Sequence, residues 1–265
     1  MHFNGLKPFD ISVKYCELNS YAPENVHDYH IHNECEIYIN LSGDVSFSVE
    51  NHIYPVKPGD IIITRPFEYH HCTYHSNKLH KHFWILFSAD GNEELFDVFF
   101  KRKSGEGNQL TLSPEGTEEL ISLCHKMVEP PKSEAEMYYR FFKLITLLSS
   151  ADVANVSVSG YPQCVLYAMN YIGNNFDKYI SVADIAKGAN VSVNTLERHF
   201  LKVLNCTPSE YIKKKRLANA AKLLTKGFSV TETSEKSGFS DYSYFISIFK
   251  KTYGVTPLKY RKSIR

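Results

Sequence analysis

The chain has 265 residues, 43% of them hydrophobic, which is enough for two cores, and no apolar run approaches the ~18 residues of a membrane helix. Its formal net charge of +1 hides a split: residues 161–265 carry 17 Lys and Arg against 7 Asp and Glu, while residues 1–160 carry 13 against 22. Six scattered cysteines without a C-x-x-C pair argue against a zinc knuckle or a thioredoxin-like site, and with no apolar leader the expectation is a reduced, cytoplasmic protein without membrane association.

Residues 1–25 read as an arm with one or two strands, the clearest over Ile11–Leu18. From Tyr29 to Ser88, short runs rich in β-branched and aromatic residues follow one another: Glu36–Leu41, Val45–Val49, His52–Val56, Asp60–Thr64 and Lys81–Phe87. Turn residues at Ser42-Gly43-Asp44, Glu50-Asn51, Pro58-Gly59-Asp60 and Arg65-Pro66-Phe67 separate them, so an antiparallel barrel or jelly roll is expected. Residues 89–115 are loop-rich. Two helices are predicted next, Gly116–Val128 and Ser133–Ser149, parted by Pro130-Pro131, with Ser133 and Glu136 spaced as a capping box. The second is apolar over so wide a face, from Met137 to Leu148, that it is expected to pack on a second protomer; the alternative is that both helices cover only their own barrel. Small residues without a helical stripe make 151–160 a linker. The chain thus reads as domain 1–150, linker 151–160 and domain 161–265.

Gln163–Phe176 opens the last domain, with Val165, Leu166, Met169 and Ile172 inward. The rest of that domain is a duplication. Ser181 and Ser192 recur 48 residues on as Ser229 and Ser240, and Phe200, Pro208 and Tyr211 recur 49 on as Phe249, Pro257 and Tyr260. Each copy reads as a helix-turn-helix. Val182, Ile185 and Ala186 share one face of a short helix, Asn190 or Gly238 takes the left-handed turn, and Ser192 or Ser240 caps the second helix. Leu196, Phe200 and Val203 form the buried stripe of that helix, with Phe245 and Phe249 as counterparts. In this motif the second helix enters the major groove. The candidate DNA contacts are Asn194, Thr195, Glu197, Arg198 and Lys202 in the first copy, and Tyr242, Ser243, Ile246, Ser247, Lys250 and Lys251 in the second. A long helix, Glu210–Leu224, joins the copies, with Tyr211, Leu217, Ala221 and Leu224 inward and Lys213, Lys214, Lys215 and Arg216 as a phosphate-contacting run. The basic balance suits a polyanion.

The run Gly238-Phe-Ser-Asp-Tyr-Ser-Tyr-Phe-Ile-Ser-Ile-Phe-Lys-Lys-Thr-Tyr-Gly-Val-Thr-Pro-Leu-Lys-Tyr-Arg261 resembles the signature of AraC/XylS-type transcription regulators, and the resemblance spans Gln163 to Arg261. It departs from that family's usual pattern at Thr233-Ser234, where Ile-Ala is common, and at Ser247, where Arg is common. The first departure is expected to soften the packing of the second copy, the second to remove a DNA contact. The resemblance implies an α+β chain of two domains: an N-terminal antiparallel β cupin-like barrel with two helices, and a C-terminal all-α domain with two helix-turn-helix units.

His30-x-His32-x-x-x-Glu36 with Gly43, and Pro58-Gly59-Asp60 with Pro66 and His70, resemble the two cupin motifs. In metal-binding cupins the two His and the Glu of the first motif meet the His of the second inside the barrel, whereas AraC-type sensor barrels usually keep the pattern without a metal. Strand alternation gives His30, His32, Glu36 and Tyr38 one parity. The cavity is therefore expected to take a small organic effector through His30, His32, Glu36, Tyr38, Arg65 and His70, with Phe47, Trp84 and Phe87 as walls, and to need no cofactor. The set His30, His32, Glu36 and His70 is the alternative reading, as a metal site.

The expected function is that of an effector-responsive transcription regulator. Its partners would be double-stranded DNA, a small molecule (a sugar or related metabolite by family analogy), a second copy in a homodimer, and RNA polymerase if it activates. The competing classes are a cupin metalloenzyme with a helical appendage and a DNA-binding factor without an effector.

Overall fold

The computed structural model describes residues 10–18, 32–76, 78–89, 91–154 and 161–263, which fall into two compact units, 10–154 and 161–263. Among the described residues no helix is long and apolar enough to cross a membrane.

The first unit holds β1 (Ile11–Leu18), β2 (Cys35–Ser42), β3 (Val45–Val49), β4 (His52–Val56), β5 (Ile61–Thr64), β6 (His70–Tyr74), β7 (His80–Phe87), α1 (Asp97–Phe100), β8 (Gln109–Thr111), α2 (Pro114–Val128), α3 (Glu134–Ser149) and β9 (Asp152–Val153). The strands pair antiparallel in two sheets, ordered β1-β7-β2-β5-β8-β9 and β4-β3-β6. Period-two alternation splits β2 between two cores. Cys35, Ile37 and Ile39 join Phe83, Ile85 and Phe87 of β7 in a core shared with α2 and α3. Tyr38 points the other way, into a core shared with Val45, Phe47, Tyr54 and Cys72 of the small sheet; its ring lies 4.7 Å from that of Phe47.

Several elements differ from expectation. The strand β6, sequence His-His-Cys-Thr-Tyr, lacks the Val and Ile runs that mark its neighbours, yet all five residues are buried. The short strands β8 and β9 are set by pairing rather than composition: Leu110 pairs with Ile61 and Val153, so Asp152 and Val153 of the expected linker stand in the sheet. Phe87, expected to wall the cavity, faces the helices, with its ring against Phe96, Phe99 and Phe141 at 4.9, 5.3 and 4.9 Å. One stripe of the wide face of α3 is buried within its own unit, Phe141, Leu144 and Leu148 being each 0% exposed, while Tyr138, Phe142 and Leu147 are only partly buried. At its start Ser133 Oγ accepts from Glu136 N–H (3.2 Å), while Glu136 accepts from the Lys132 N–H (2.7 Å), one residue outside the usual capping box.

The second unit is all helix: α4 (Gln163–Asn175), α5 (Val182–Gly188), α6 (Val193–Leu204), α7 (Pro208–Thr225), α8 (Val230–Lys236), α9 (Tyr242–Tyr253) and α10 (Pro257–Ser263). The repeat extends to hydrogen bonds. In the first turn Ala189, Asn190 and Val191 donate to the carbonyls of Ile185, Lys187 and Ala186; in the second Ser237, Gly238 and Phe239 donate to those of Thr233, Glu235 and Ser234. Asn190 (φ 56°) and Gly238 (φ 77°) take the left-handed conformation. At Gly238 a Cβ would also stand 2.7 Å from the Phe176 carbonyl oxygen, so only glycine fits. Phe200 meets Tyr211 edge-on at 5.8 Å, and Phe249 meets Tyr260 the same way at 5.4 Å. The additional residue of the second copy falls in its turn. Ser192 caps α6, but the cap of α9 is Asp241, whose carboxylate accepts from Tyr244 N–H at 2.9 Å, and not Ser240.

Candidate effector site and nucleic-acid interface

In the first unit, β2 and β6 bring together three side chains distant in sequence. His32 sits just before β2, Glu36 on β2 and His70 at the start of β6. Both imidazoles aim Nε2 at the same carboxylate oxygen, Glu36 Oε2, at 3.0 Å from His32 and 3.2 Å from His70. Their other nitrogens lie against backbone carbonyls: His32 Nδ1 is 3.1 Å from Glu34 O and His70 Nδ1 is 2.7 Å from Glu68 O. A carbonyl can only accept, so each Nδ1 carries its proton and Nε2 is the nitrogen presented to the carboxylate. Glu36 and His70 are buried and His32 is partly so. Burial alone would lower the His32 pKa, but its hydrogen bonds to Glu34 and Glu36 outweigh this and raise it to about 9. The same bond holds the Glu34 carboxyl below its ordinary value.

Tyr38 continues the Glu36 face of β2. It is buried, its ring stacks on His82 at 4.7 Å, and burial drives its pKa well above the ordinary value. The Cys72 thiol beside it is pushed up to about 12 by burial. His82 and Cys72 thus pack around Tyr38 and were missed in the sequence; the β2–β7 and β3–β6 registers are what bring them there. Trp84 lies opposite Tyr38 in the β2–β7 register and is half-buried, with the Lys14 ammonium 5.7 Å from its ring centre.

Arg65 does not join the cluster. Its Nη1 donates to Arg102 O (3.1 Å) and its Nε lies 3.6 Å from Glu68, so it belongs to a separate buried network. There Glu68 accepts from both Arg102 terminal nitrogens (2.8 and 2.5 Å), from the Arg65 and Gly105 amides (3.1 and 2.9 Å) and from Asn108 (3.0 Å). Burial pushes the Glu68 pKa up, but the Arg102 hydrogen bonds and charge win and hold it below the usual carboxylate value. This network holds the loop around Gly105 and keeps Arg65 away from the His32–Glu36–His70 cluster. His30, the remaining expected ligand, lies outside the described residues.

In the second unit, α6 and α9 each bury one stripe and expose another. On α6, Asn194, Arg198 and Lys202 are exposed at spacing four, with Thr195 and Glu197 partly so. Ser192 Oγ caps the Thr195 amide at 3.1 Å, which holds the first turn of that face in place. On α9, Tyr242, Ser243, Ser247, Lys250 and Lys251 are exposed and Ile246 is partly buried. The 49-residue offset superposes Asn194 on Ser243, Arg198 on Ser247 and Lys202 on Lys251. It also superposes Thr195 on Tyr244, 49% exposed, a residue that sequence reasoning missed although the same offset finds it. The run on α7 is corrected in part. Lys215 is 5% exposed, and Arg216 donates to the carbonyls of Phe176 (2.7 Å) and Lys178 (2.8 Å), so it joins α7 to the end of α4.

Two family models match these units. Residues 16–140 match the AraC-like ligand binding domain and residues 185–263 a helix-turn-helix domain. Similar proteins extend over nearly the whole chain. The lactose operon transcription activator of Staphylococcus xylosus is 24% identical over 96% of this chain and 93% of its own length. The Msm operon regulatory protein of Streptococcus mutans is 27% identical over 97% and 94%. The raffinose operon transcriptional regulatory protein RafR of Pediococcus pentosaceus is 28% identical over 92% and 89%. With a sheet unit carrying the ligand-binding match and a helical unit carrying the duplicated motif, the chain belongs to the AraC-type, effector-controlled, DNA-binding transcription regulators.

Proposed function

We propose that the first unit senses a sugar or related small metabolite, that the stretch between Val153 and residue 161 links it to the second, and that 161–265 then engage two successive major grooves through α6 and α9. The observation that carries this is the repetition of turn hydrogen bonds, caps and ring pairs between the two helix pairs, beside a sheet unit matched by a ligand-binding model. The sugar class rests on the relatives, whose names attach them to lactose and raffinose operons. Asn194, Thr195, Glu197, Arg198 and Lys202, with Tyr242, Ser243, Ile246, Ser247, Lys250 and Lys251, form the DNA-facing set. His32, Glu36, Tyr38, His70 and Trp84 form the effector set. The protein works in the cytoplasm as a homodimer, contacts RNA polymerase if it activates, and catalyses no reaction. Selection of sites from random DNA, followed by affinity measurements with and without a panel of mono-, di- and trisaccharides, tests this. A selected motif whose affinity shifts with one sugar is expected. No enriched motif would overturn the DNA assignment, and a motif indifferent to every sugar would overturn the effector class.

A further inference from the structure

The two helix pairs of the second unit, α5–α6 and α8–α9, share the helix α7, and each holds a different stretch of it. Phe200 of α6 packs on Tyr211 near the start of α7. Further along, Asn219 Nδ2 donates to Lys236 O (3.3 Å) and Ser237 Oγ (3.2 Å) at the end of α8. With 18 residues, α7 is about 27 Å long at the helical rise. A shared rod of this kind fixes the distance between the pairs. It resists their rolling about its axis only weakly, because each pair grips it on its own.

The segment after α4 supplies the missing constraint. The helix α4 belongs with the first pair: Cys164 Sγ lies 3.8 Å from His199 Nδ1 of α6, and a Cβ at Gly188 of α5 would stand 2.3 Å from the Tyr167 hydroxyl. Carbonyls at a helix C-terminus have no partner within the helix. Here α7 takes two of them from the end of α4 and the residues beyond: Arg216 Nε donates to Phe176 O at 2.7 Å and Nη2 to Lys178 O at 2.8 Å. The planar fork of a guanidinium can hold both at once, which a lysine ammonium, a point charge on a flexible stem, does less well. The same backbone also touches the second pair. A Cβ at Gly238 would stand 2.7 Å from Phe176 O and 2.9 Å from Asp177 Cα. At the matching turn position of the first copy, Asn190 is exposed, so this contact is not part of the repeated motif. One short segment thus joins the first pair, the shared helix and the second turn.

We propose that this joint, with Arg216 as its positioning residue, sets the separation and phase of the two DNA half-sites that the protein accepts. The inference rests on the reading that α6 and α9 engage successive grooves. Half-sites read by paired recognition helices lie one turn apart, about 34 Å or 10.5 base pairs. One inserted base pair moves the second groove about 3.4 Å along the axis and about 34° around it. A locked pair of helices cannot follow that shift, whereas a pair free to roll about α7 can.

The test measures the full-length chain on duplexes carrying the two half-sites returned by selection from random DNA, at the selected spacing and with one or two base pairs inserted between them. For the wild type each insertion should weaken binding by about tenfold or more. Arg216→Ala should cut that penalty to about threefold or less, while base preference within each half-site stays unchanged. Arg216→Lys, which can keep one carbonyl contact, should fall between the two, and it carries the test where the alanine variant does not fold. Val203→Ala, buried on α6 away from the joint, loosens packing without freeing the pairs and should keep the full penalty. Equal penalties for the wild type and both Arg216 variants overturn the proposal, as does a wild type that tolerates the insertions. Selection that returns a single half-site overturns the two-groove reading itself, and this inference with it.

Discussion

The Thr233 hydroxyl offers the sharpest test of how the two helix-turn-helix copies differ. Thr233 is 0% exposed in α8, and its Oγ1 has no hydrogen-bond partner among the described residues. Its counterpart 48 residues earlier is Ile185, also 0% exposed. A buried hydroxyl without a partner costs about 1–3 kcal/mol, as substitutions in proteins show. Thr233→Val replaces it with a methyl of the same shape, and the two residues have similar helix propensities. The second copy should therefore gain about 1–3 kcal/mol. The only tryptophan, Trp84, lies in the first unit and is silent here. Amide hydrogen exchange of α8 and α9 reads the gain directly, because each 1.4 kcal/mol slows exchange from locally opened states about tenfold. Slowing of roughly 5- to 140-fold in α8 and α9, with α5 and α6 unchanged, is the expected result. The reverse change, Ile185→Thr, should cost the first copy about 2–4 kcal/mol by combining lost apolar volume with a buried hydroxyl. If exchange in α8 and α9 stays the same or quickens with Thr233→Val, the hydroxyl is satisfied in solution and the asymmetry argument fails.

Arg198→Ala should cost about 1–3 kcal/mol of DNA affinity and relax preference at one or two base pairs, whereas Lys250→Ala should weaken all sequences alike and make the salt dependence shallower. Site selection with each variant decides it; an unchanged motif for Arg198→Ala beside a degraded one for Tyr242→Ala reverses the roles. Arg216→Ala should destabilise the second unit by about 1–3 kcal/mol through its two lost carbonyl contacts and leave the salt slope of DNA binding unchanged; a shallower slope would return it to the phosphate-contacting set. Glu68→Gln should remove about 3–5 kcal/mol from the first unit at pH 7, read by urea unfolding on Trp84 fluorescence. Because the folded pKa of Glu68 is lowered, its contribution is complete above the unfolded carboxylate value and is lost as pH falls through the folded one, so the variant should also flatten the acid limb of stability. Phe141→Asp should unfold the first unit rather than yield folded monomers; a folded monomer by light scattering would return Phe141 to a protomer interface.

Legibility followed local rules. Strands rich in Ile, Val and aromatic residues, the caps Ser133 and Ser192, and the left-handed Asn190 and Gly238 were all readable, because each depends on neighbours a few residues away. The strands β8 and β9 were not readable, because partners in the sheet rather than their own composition make them strands. The meeting of His32, Glu36 and His70 could be expected from motif spacing, but the capture of Arg65 by Glu68 could not. Glu68 is drawn inward by Arg102, 34 residues away, and by the Gly105 amide. The width of the α3 face was legible, but the division of that face was not: Phe87 and Phe96, brought close by the fold rather than by sequence, pack on Phe141, while Tyr138, Phe142 and Leu147 stay partly buried.

The residue inserted in the second turn changes the electrostatics of a helix start. The α6 helix opens with a neutral hydroxyl cap at Ser192, so the partial positive charge of its first amides stays uncompensated and can attract a phosphate. The α9 helix opens with Asp241, whose carboxylate already neutralises that charge and would repel a phosphate brought to the same spot. The two copies therefore cannot grip a DNA strand in the same way at their helix starts, however alike their backbones. The first is free to anchor by its N-terminal end, while the second must hold the strand further along, near the ammonium groups of Lys250 and Lys251 in its last turn.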